Sequence, residues 1–525
     1  MNVVSFSLQE DYWNTLNISD SDIEYLYNHL LDVETPLTTS ELVVEFISER
    51  IRIEKLELED KIRQGGRIYL PKKKYAEGDS IIFPHLNWEK GVVKNVRAGI
   101  NPEIINFDVI EVLFPNGITR QFAASLEEHV LNNPSSTVAE DKLLEKEYVY
   151  KTFGDHLTED LEQVLGSNKD IVCIAEHWFP RALLVDVNIG HLNLAEALLD
   201  MEGGGPLLTN AILAQIDLPT DANGLLTEFS LNYALHNDGR FDEVGPSGEV
   251  LWYLRRLEPE WVQKTPVYLL YHDQEDGIND IGKMQSIIDL QIDDELEDFE
   301  KIDEISDDVP ISLIYPHWRV GSLPLSNRIF NIFPTALESP RVRFTFVDGN
   351  SGVKFSGWVV RKSRYISGLK EWYRSHGTIP GSIIHVRKGE DPGEVVIWVD
   401  KRRSIRDWVR TALVGKDGEV VFALLKQTIS TLIDERMAFF VPDEELLDKI
   451  WATKKWGHAK LETIIKLVMR EQMKLNPQGH VHFLELYSGV NLLYRCPPGV
   501  IMKSLMDGQW AAHLGDHYFK LKSET

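Results

Sequence analysis

The chain has 525 residues, a formal net charge of −27 and 43% hydrophobic residues, which is typical of a folded protein with several domains. Its two cysteines, Cys173 and Cys496, exclude a disulfide framework and a multi-thiolate zinc site and favour a reducing compartment. No window approaches the roughly 20 apolar residues of a membrane span, and no signal-peptide pattern opens the chain. We therefore expect a cytoplasmic protein with no membrane partner.

The charge is distributed unevenly along the chain. Residues 273–308 hold 15 acids and 2 bases, whereas residues 341–410 hold 15 bases and 7 acids. An acidic segment beside a basic domain acts either as a solvated spacer or as a competitor for the basic face. Both interpretations remain open for the segment, which we place in an acidic linker over residues 261–310.

The N-terminal domain, residues 1–72, begins with a helical pattern. The stretch "DIEYLYNHLL" carries apolar residues at i, i+3 and i+4 spacing, and Thr38 to Ser40 precede a second helix as an N-cap signal. The stretch "GGRIYLP", residues 65–71, then indicates a short strand. Helix, turn, helix and strand in this order predict a helix-turn-helix with a wing over residues 21–71.

Residues 73–135 are rich in alternating apolar and polar positions. The runs "FDVIEVLF" and "ITRQFAA" are joined by Asn116 and Gly117, which predicts a β-hairpin. We expect a small five-stranded SH3-like barrel here. The pattern "GDSIIFP" followed by "W..GVV..V" is similar to the CarD-type polymerase-binding module.

Residues 136–260 contain a second helical pattern that ends in "RFDEVGPSGEVLWYL". Phe241 and Val244 are expected to pack on the helices, Gly245 to Gly248 to form a turn, and "EVLWYL" to return as a strand. The stretch from "LAEALLDM" to "VLWYL" resembles the HARE-type winged helix, which is shared by the delta subunit of bacterial RNA polymerase and by domains of restriction enzymes and chromatin factors. Residues 140–190 are read either as a further strand pair or as the edge of this unit.

The C-terminal domain, residues 404–525, repeats the same order of elements. The stretch from "KLETIIKLVM" to "HYFKL" predicts three helices followed by a hairpin, with "QWAAHLGDHYFKL" parallel to "RFDEVGPSGEVLWYL". We expect tandem winged helices.

The basic region, residues 311–403, is predicted to be a second small barrel. "RVRFTFVDGNSGVKFSGWVV" indicates strands around a turn, and "GLKEWYRSHGTIPGSIIHV" is similar to the helix and following strand of B3-type DNA-binding pseudobarrels. Ser382 stands where that family usually has an acid.

Basic and aromatic residues interleave in this region, as they do on nucleic-acid-binding surfaces. The second winged unit is expected to present its third helix to the major groove of DNA. The basic residues that follow its hairpin are expected to contact the DNA backbone. The candidate nucleic-acid-binding residues are Arg361, Lys362, Arg364, Tyr365, Trp372, Arg374, Arg387, Lys388, Arg402 and Arg403 in the barrel, and Asn232, His236, Arg240, Arg255 and Arg256 in the winged unit.

Catalytic and metal-binding patterns are weak. No phosphate-binding loop of the GxxxxGK[ST] or GxGxxG type occurs, and His480 and His482, two residues apart, would not share a face of a helix. Asp400 and Lys401 lack the second carboxylate of a nuclease site. We expect no catalytic residue, no metal and no cofactor.

These observations predict an α+β, multi-domain chain with tandem winged helix-turn-helix units and two small β-barrels. The predicted function is non-enzymatic DNA binding or transcription-associated regulation. The alternative is an acidic protein-interaction scaffold that binds RNA polymerase or a nuclease or defence-system partner, since a net charge of −27 suits a basic protein partner.

Overall fold

A computed structural model of the chain describes residues 8, 11–64, 67–83, 86, 89–101, 107–132, 142–218, 223–246, 248–271, 290–297, 308–415, 418–453 and 460–522. The chain forms two compact units, Met1–Val185 with Thr220–Phe229 and Asp186–Pro219 with Ser230–Thr525. Both units contain α-helices and β-sheets, so the expectation of an α+β chain with more than one unit is confirmed.

The first unit contains three complete α-helices and eight strands among its described residues. In chain order they are α1 (Asp20–Val33), β1 (Leu37–Thr38), α2 (Thr39–Gln64), β2 (Arg67–Ile68), β3 (Ser80–Phe83), β4 (Glu89–Ala98), β5 (Asp108–Leu113), β6 (Thr119–Ala124), α3 (Lys146–Ser167), β7 (Ile171–Ile174) and β8 (His177–Pro180).

The helices of the first unit pack with the small sheet β1-β8-β7. Leu37 lies opposite Trp178 in an antiparallel pair, and Trp178 Nε1 donates to Thr39 Oγ1 at 2.9 Å. The hairpin that completes this helical group is therefore residues 171–180, which confirms the strand-pair interpretation of that region. The prediction of a wing at residues 65–71 is wrong, because β2 pairs with β3 instead.

Strands β2 to β6 form one five-stranded sheet in sequential order. The predicted hairpin β5–β6 is present, and Gly117 at its turn has a φ of 77°, which a residue without Cβ adopts at no steric cost. Asn116 Oδ1 accepts from the Ile118 amide at 3.0 Å and holds the turn. The inward-facing residues Phe83, Val93 and Ile110 are buried together.

The second unit contains the remaining elements. In chain order they are α4 (Ile189–Met201), β9 (Leu207–Leu208), α5 (Thr209–Leu213), α6 (Gly224–Asn237), β10 (Phe241–Glu243), β11 (Leu251–Leu254), α7 (Glu260–Gln263), β12 (Val309–Ser312), α8 (Tyr315–Val320), β13 (Ser322–Pro324), β14 (Arg341–Asp348), β15 (Lys354–Val360), β16 (Tyr365–Ser367), α9 (Lys370–His376), β17 (Ile383–Lys388), β18 (Glu394–Val399), β19 (Lys401–Val414), β20 (Val420–Thr431), β21 (Phe439–Phe440), α10 (Glu444–Ala452), α11 (Leu461–Met473), β22 (Val481–His482), α12 (Phe483–Leu493), α13 (Pro498–Asp507), β23 (Ala511–Gly515) and β24 (Tyr518–Leu521). Helix α6 crosses the division, since its residues up to Phe229 belong to the first unit.

One order of elements recurs three times. It runs helix, short strand, helix, helix and hairpin, and the short strand pairs antiparallel with the last strand of the hairpin in each case: β1 with β8, β9 with β11, and β22 with β24. In the first occurrence the five-stranded sheet is inserted between the second and third helices. Local sequence pattern alone could not join the two halves of that group.

The predicted hairpin after α6 exists as β10–β11, with Phe241 and Trp252 in the core of its helices. The hairpin also packs on the strands of the basic region: Val244 and Tyr253 are buried against Trp358 and Tyr365. The amide of Arg343 also donates to the Val244 carbonyl at 2.8 Å. This hairpin therefore faces protein rather than solvent along one side.

The basic region folds as a seven-stranded sheet in the order β12-β17-β18-β14-β15-β16-β13. All neighbouring strands are antiparallel except β14 and β18. Within the described residues the two end strands, β12 and β13, do not pair, so the sheet is open. Short helices α8 and α9 follow β12 and β16.

A long two-stranded ribbon, β19–β20, follows the seven-stranded sheet directly. Only Asp400 separates it from β18, and Arg406 to Val414 pair continuously with Thr428 to Val420. The sequence predicts helices and a final hairpin over residues 404–525 but not this ribbon, which occupies residues 401–431.

Part of the predicted acidic linker lies in the core. Asp294 and Glu295 are buried and bind Arg495, which is itself fully buried, at 2.5 Å and 2.9 Å. Glu295 Oε2 also lies 2.8 Å from His317 Nε2, and Asp293 pairs with Arg328 at 2.7 Å. Both interpretations of the acidic segment, solvated spacer and competitor, are therefore wrong for residues 290–297. These residues instead pack between α8 and the segment that connects α12 to α13.

Burial and opposing charges set the proton affinities of this insert. Burial works against ionisation of Glu295, but Arg495 and His317 outweigh it and lower the pKa of Glu295 to about 2. Burial raises the pKa of Asp293 to about 6, against the effect of Arg328, and raises that of Glu297 to about 7. Glu297 accepts from the Gly499 amide at 2.5 Å.

Candidate nucleic-acid interface

The candidate residues of the second winged unit are engaged within the protein. Asn232 is buried, and its Oδ1 accepts from Thr209 Oγ1 at 2.6 Å and from Trp252 Nε1 at 2.9 Å. His236 is exposed near the end of α6, 4.0 Å from Glu338. The prediction that Asn232 faces a major groove is wrong, because its amide serves as a buried hydrogen-bond acceptor between a strand and a helix.

The three arginines of this unit are paired with carboxylates. Arg240 binds Asp238 at 2.7 Å and Glu196 at 2.6 Å, and these partners, Asp238 first, raise its pKa. Arg256 binds Asp200 at 2.7 Å, and Arg255 lies 3.5 Å from Asp242. Their charge is largely neutralised locally, which removes the basic surface expected beside the hairpin.

Both aromatic candidates, Tyr365 and Trp372, belong to the core. Tyr365 is buried, and its hydroxyl donates to the Trp261 carbonyl at 2.5 Å. Trp372 is buried in the core of the seven-stranded sheet. Neither ring is available for stacking on a nucleobase, so both predictions are wrong. The interleaving of basic and aromatic residues reflects the alternation of outward-facing and inward-facing positions.

The basic candidates beside them have mixed environments. The Arg361 guanidinium donates to the Phe333 and Pro334 carbonyls at 2.6 Å and 3.0 Å, and burial lowers its pKa. Arg364 donates to Asn327 at 2.6 Å. Arg374 is exposed and pairs with Glu371 on its own helix at 2.9 Å, and Lys362 is exposed. Arg361 is thus a structural cation rather than a free contact residue.

The candidates on β17 lie beside an aromatic pair. His385 stacks on Trp398 with ring centroids 5.0 Å apart, and Arg387 lies 5.9 Å from the Trp398 ring. Arg387 and Lys388 are both exposed. Asp400 at the end of β18 is 3.4 Å from His385, so this carboxylate faces the imidazole.

The remaining candidates, Arg402 and Arg403, begin the ribbon. Arg402 pairs with Asp407 at 3.0 Å, whereas Arg403 is exposed. Cross-strand register places Arg406 opposite Thr428 and Trp408 opposite Lys426, and these residues share one face because side chains alternate with a period of two. We call Arg406, Trp408, Leu424, Lys426 and Thr428 the ribbon face.

The ribbon buries different faces along its length. Near its start, Val409 and Ile429 on the opposite face are buried with Ile379, while the ribbon face is exposed. Near its turn the same side as the ribbon face is buried instead, through Ala412 and Phe422. The exposed part of the ribbon face is therefore confined to its first half.

The ribbon face is basic and aromatic. Trp408 is 61% exposed, and Lys426 Nζ lies 5.3 Å from its ring. Among the described residues, no carboxylate lies within ion-pair distance of Arg403, Arg406 or Lys426, since Asp407 pairs with Arg402 and Glu485 with Arg410. Arg406, Trp408 and Lys426 are not among the binding residues predicted from the sequence. The β-rich runs on either side of Gly415 and Gly418 indicate a hairpin that includes all three.

A buried carboxyl pair joins the β10–β11 hairpin to the seven-stranded sheet. Glu258 pairs with Arg341, which also lies 3.5 Å from Asp242. Burial, reinforced by Asp242, raises the pKa of Glu258 to about 8. Glu258 is therefore largely protonated in the folded protein at neutral pH.

We expect this carboxyl to make the second unit less stable as the pH rises. The folded state binds the Glu258 proton more tightly than the unfolded state, so its contribution is full below about pH 4.5 and is lost by about pH 8. Between about pH 4.5 and pH 8 the free energy of unfolding should decrease less steeply for Glu258→Gln than for the wild type. The difference in slope should be up to about 1.4 kcal/mol per pH unit. Urea denaturation at a series of pH values measures it.

The exposed residue Glu260 supplies the control for this measurement, since Glu260→Gln removes one carboxyl from the same segment. The Glu260→Gln variant should show the same pH dependence of the unfolding free energy as the wild type. Equal pH slopes for the Glu258→Gln variant and the wild type would contradict the assignment.

His480 and His482 do not form a metal site in the described structure. His482 is buried and accepts from Arg436 through Nε2 at 2.9 Å, and burial followed by Arg436 lowers its pKa to about 4. Within the ranges that the structure describes, no three His, Cys, Asp or Glu side chains converge as metal ligands. No helix in the same ranges has the length and hydropathy to cross a membrane.

Comparisons with protein-family models, with curated proteins and with solved structures return no match for the chain.

Proposed function

We propose that this protein is a non-enzymatic nucleic-acid-binding protein whose main contact surface is the ribbon face with Arg403. The observation that carries the proposal is the exposure of Arg406 and Lys426 beside Trp408, and of Arg403 nearer the start of the same strand, without carboxylate partners among the described residues. Such groups neutralise phosphates and contact bases.

Tandem winged helix-turn-helix units are part of the same proposal. Its support is the order of helix, strand, helix, helix and hairpin, found three times with the same strand pairing. The resemblance to HARE-type winged helices implies a transcription-associated role. The open seven-stranded sheet with its two short helices supports the proposed likeness to B3-type pseudobarrels.

We expect the triple variant Arg403→Glu, Arg406→Glu, Lys426→Glu to bind labelled oligonucleotides at least 10-fold more weakly at low salt. Each phosphate contact that is lost reduces the number of counterions released on binding. The magnitude of the slope of log K against log salt concentration should therefore decrease by about 2 to 3. Fluorescence anisotropy over a salt series measures both quantities. Reversal at Arg361 is less informative, because its contacts with the Phe333 and Pro334 carbonyls would be lost as well.

The matched control reverses three exposed bases outside the ribbon, Lys449, Lys460 and Arg470, and changes the net charge by the same amount. It should bind close to the wild type. If both triple variants lose affinity equally, net charge rather than the ribbon face determines binding; if the wild type binds no oligonucleotide at low salt, the proposed function is wrong.

A second candidate function is a protein-docking scaffold, and helix α3 favours it. This third helix of the first group exposes Glu147, Asp155, Glu159 and Glu162, while Arg240 and Arg256 in the second group are already paired with carboxylates. Acidic faces suit a basic protein partner such as RNA polymerase. Recovery of polymerase subunits with the tagged chain after nuclease treatment of a native lysate would support this function, and loss of recovery after nuclease treatment would oppose it.

A further inference from the structure

Trp408 is exposed in a way that packing does not explain. Its indole is 61% exposed on the ribbon face, although a tryptophan buries about 150 to 250 Å² when it packs in a core or interface. Lys426 lies over the ring at 5.3 Å, and Leu424, the cross-strand partner of Arg410, is 41% exposed on the same face. A flat apolar ring is thus presented to solvent between positive charges.

The packing of the ribbon limits how it meets nucleic acid. A β-ribbon that reads a duplex enters the major groove, which is about 8.5 Å deep. Here part of the opposite face is held against the protein at the same level, through Val409 and Ile429 with Ile379, while their cross-strand partners Leu425 and Ile405 are exposed. The ribbon face is therefore one exposed side of a packed ribbon rather than a free insert.

Base accessibility differs between the possible ligands. In a duplex the faces of the bases are covered by their neighbours in the stack, so Trp408 would meet only edges and phosphates. Unpaired bases have accessible faces, and aromatic side chains bind them by stacking with little dependence on sequence. The chemistry of the ribbon face therefore suits unpaired nucleotides.

We propose that the ribbon face binds single-stranded nucleic acid, with Trp408 stacking on one base and Arg406 and Lys426 contacting the phosphates around it. Arg406 precedes Trp408 by two residues on the same face, a separation of about 7 Å along the strand. Thr428, opposite Arg406, adds a hydroxyl donor beside the phosphate path. The inference rests on the proposed nucleic-acid-binding function and names its ligand class.

The test compares the affinities of the full-length wild type and the Trp408→Ala variant for a single-stranded DNA, a single-stranded RNA and a DNA duplex of equal length. Wild-type protein should bind the DNA strand at least 10-fold more tightly than the duplex. Loss of one stacked base at about 1 to 3 kcal/mol corresponds to a 5- to 150-fold loss for single strands in Trp408→Ala. Its affinity for the duplex should change less than 2-fold.

Trp261, which is 51% exposed elsewhere in the second unit, provides the control. Trp261→Ala should leave both affinities unchanged, and circular dichroism checks the fold of each variant. The RNA arm shows whether one or both kinds of single strand are ligands. Equal wild-type affinity for strand and duplex, or an equal loss on both in Trp408→Ala, overturns this inference but leaves nucleic-acid binding standing; no binding to any probe contradicts the proposed function itself.

Discussion

Replacement of Arg495 by methionine is expected to lower the free energy of unfolding of the second unit by about 3 to 5 kcal/mol. Arg495 is fully buried and binds Asp294 at 2.5 Å and Glu295 at 2.9 Å. Methionine fills similar volume but removes the arginine that the two buried carboxylates share, and the remaining contacts, of the Tyr487 hydroxyl with Asp294 and of His317 with Glu295, offset less of their desolvation cost. Guanidinium denaturation followed by circular dichroism measures the change.

The pH dependence of that loss provides a further check. Without Arg495, burial favours a higher pKa for Glu295, which can then take up a proton as the pH falls, so the difference between Arg495→Met and the wild type should shrink from pH 8 toward 5. Arg470→Met, at an exposed position of α11, should change the free energy by less than about 0.5 kcal/mol. A small, pH-independent effect for Arg495→Met would show that residues 290–297 do not depend on this arginine.

Asn232→Ala is expected to cost about 1 to 3 kcal/mol of stability and to leave nucleic-acid affinity unchanged. The substitution removes the acceptor of Thr209 Oγ1 at 2.6 Å and of Trp252 Nε1 at 2.9 Å, so the buried hydroxyl loses its acceptor and the indole keeps the longer bond to Thr209 Oγ1 at 3.2 Å. Thermal and urea unfolding report the first effect, and oligonucleotide titration the second.

The neighbouring Asn237 separates the two roles of this helix. It is exposed and donates only to the Tyr233 carbonyl of its own helix, at 2.7 Å, so Asn237→Ala should be nearly neutral for stability. If Asn232→Ala leaves stability intact but removes binding, a groove-contact role for α6 is supported and the buried-acceptor role is wrong.

The proposed interface rests on local rather than overall charge. Arg240, Arg255 and Arg256 lie close to carboxylates, whereas Arg403, Arg406 and Lys426 have no such partner among the described residues. Exposed charges act over about 8 Å at physiological salt, so a ligand at the ribbon responds chiefly to the charges around it. The acidic faces elsewhere are then compatible with a basic surface here.

Local patterns determined much of the secondary structure. The Asn116–Gly117 turn, the β10–β11 hairpin around Gly245 and Gly248, and helices α11 to α13 are present where the sequence predicts them. These elements depend on turn chemistry and on apolar periodicity over a few residues, both of which can be read along the chain. The α+β class followed from the same patterns.

Tertiary structure decided which of these residues are free to act. Strand β1 finds its partner β8 about 140 residues later, beyond an inserted sheet, so no local pattern identifies that hairpin as part of the first helical group. Tyr365 in β16 and Trp372 in α9 alternate with basic residues as surface residues could, yet the packing of both elements turns their rings inward.

Charge composition gives the wrong prediction where residues distant in sequence supply the partners of buried acids. The acids of residues 290–297 indicated solvation, but Arg495, Arg328 and His317 converge on them from three other segments. Composition by itself establishes how many charges a chain carries, whereas their burial depends on partners that only folding brings within about 3 Å. The exposed Trp408 is the converse case, because its accessibility follows from which half of the ribbon packs on the protein and not from its own sequence neighbours.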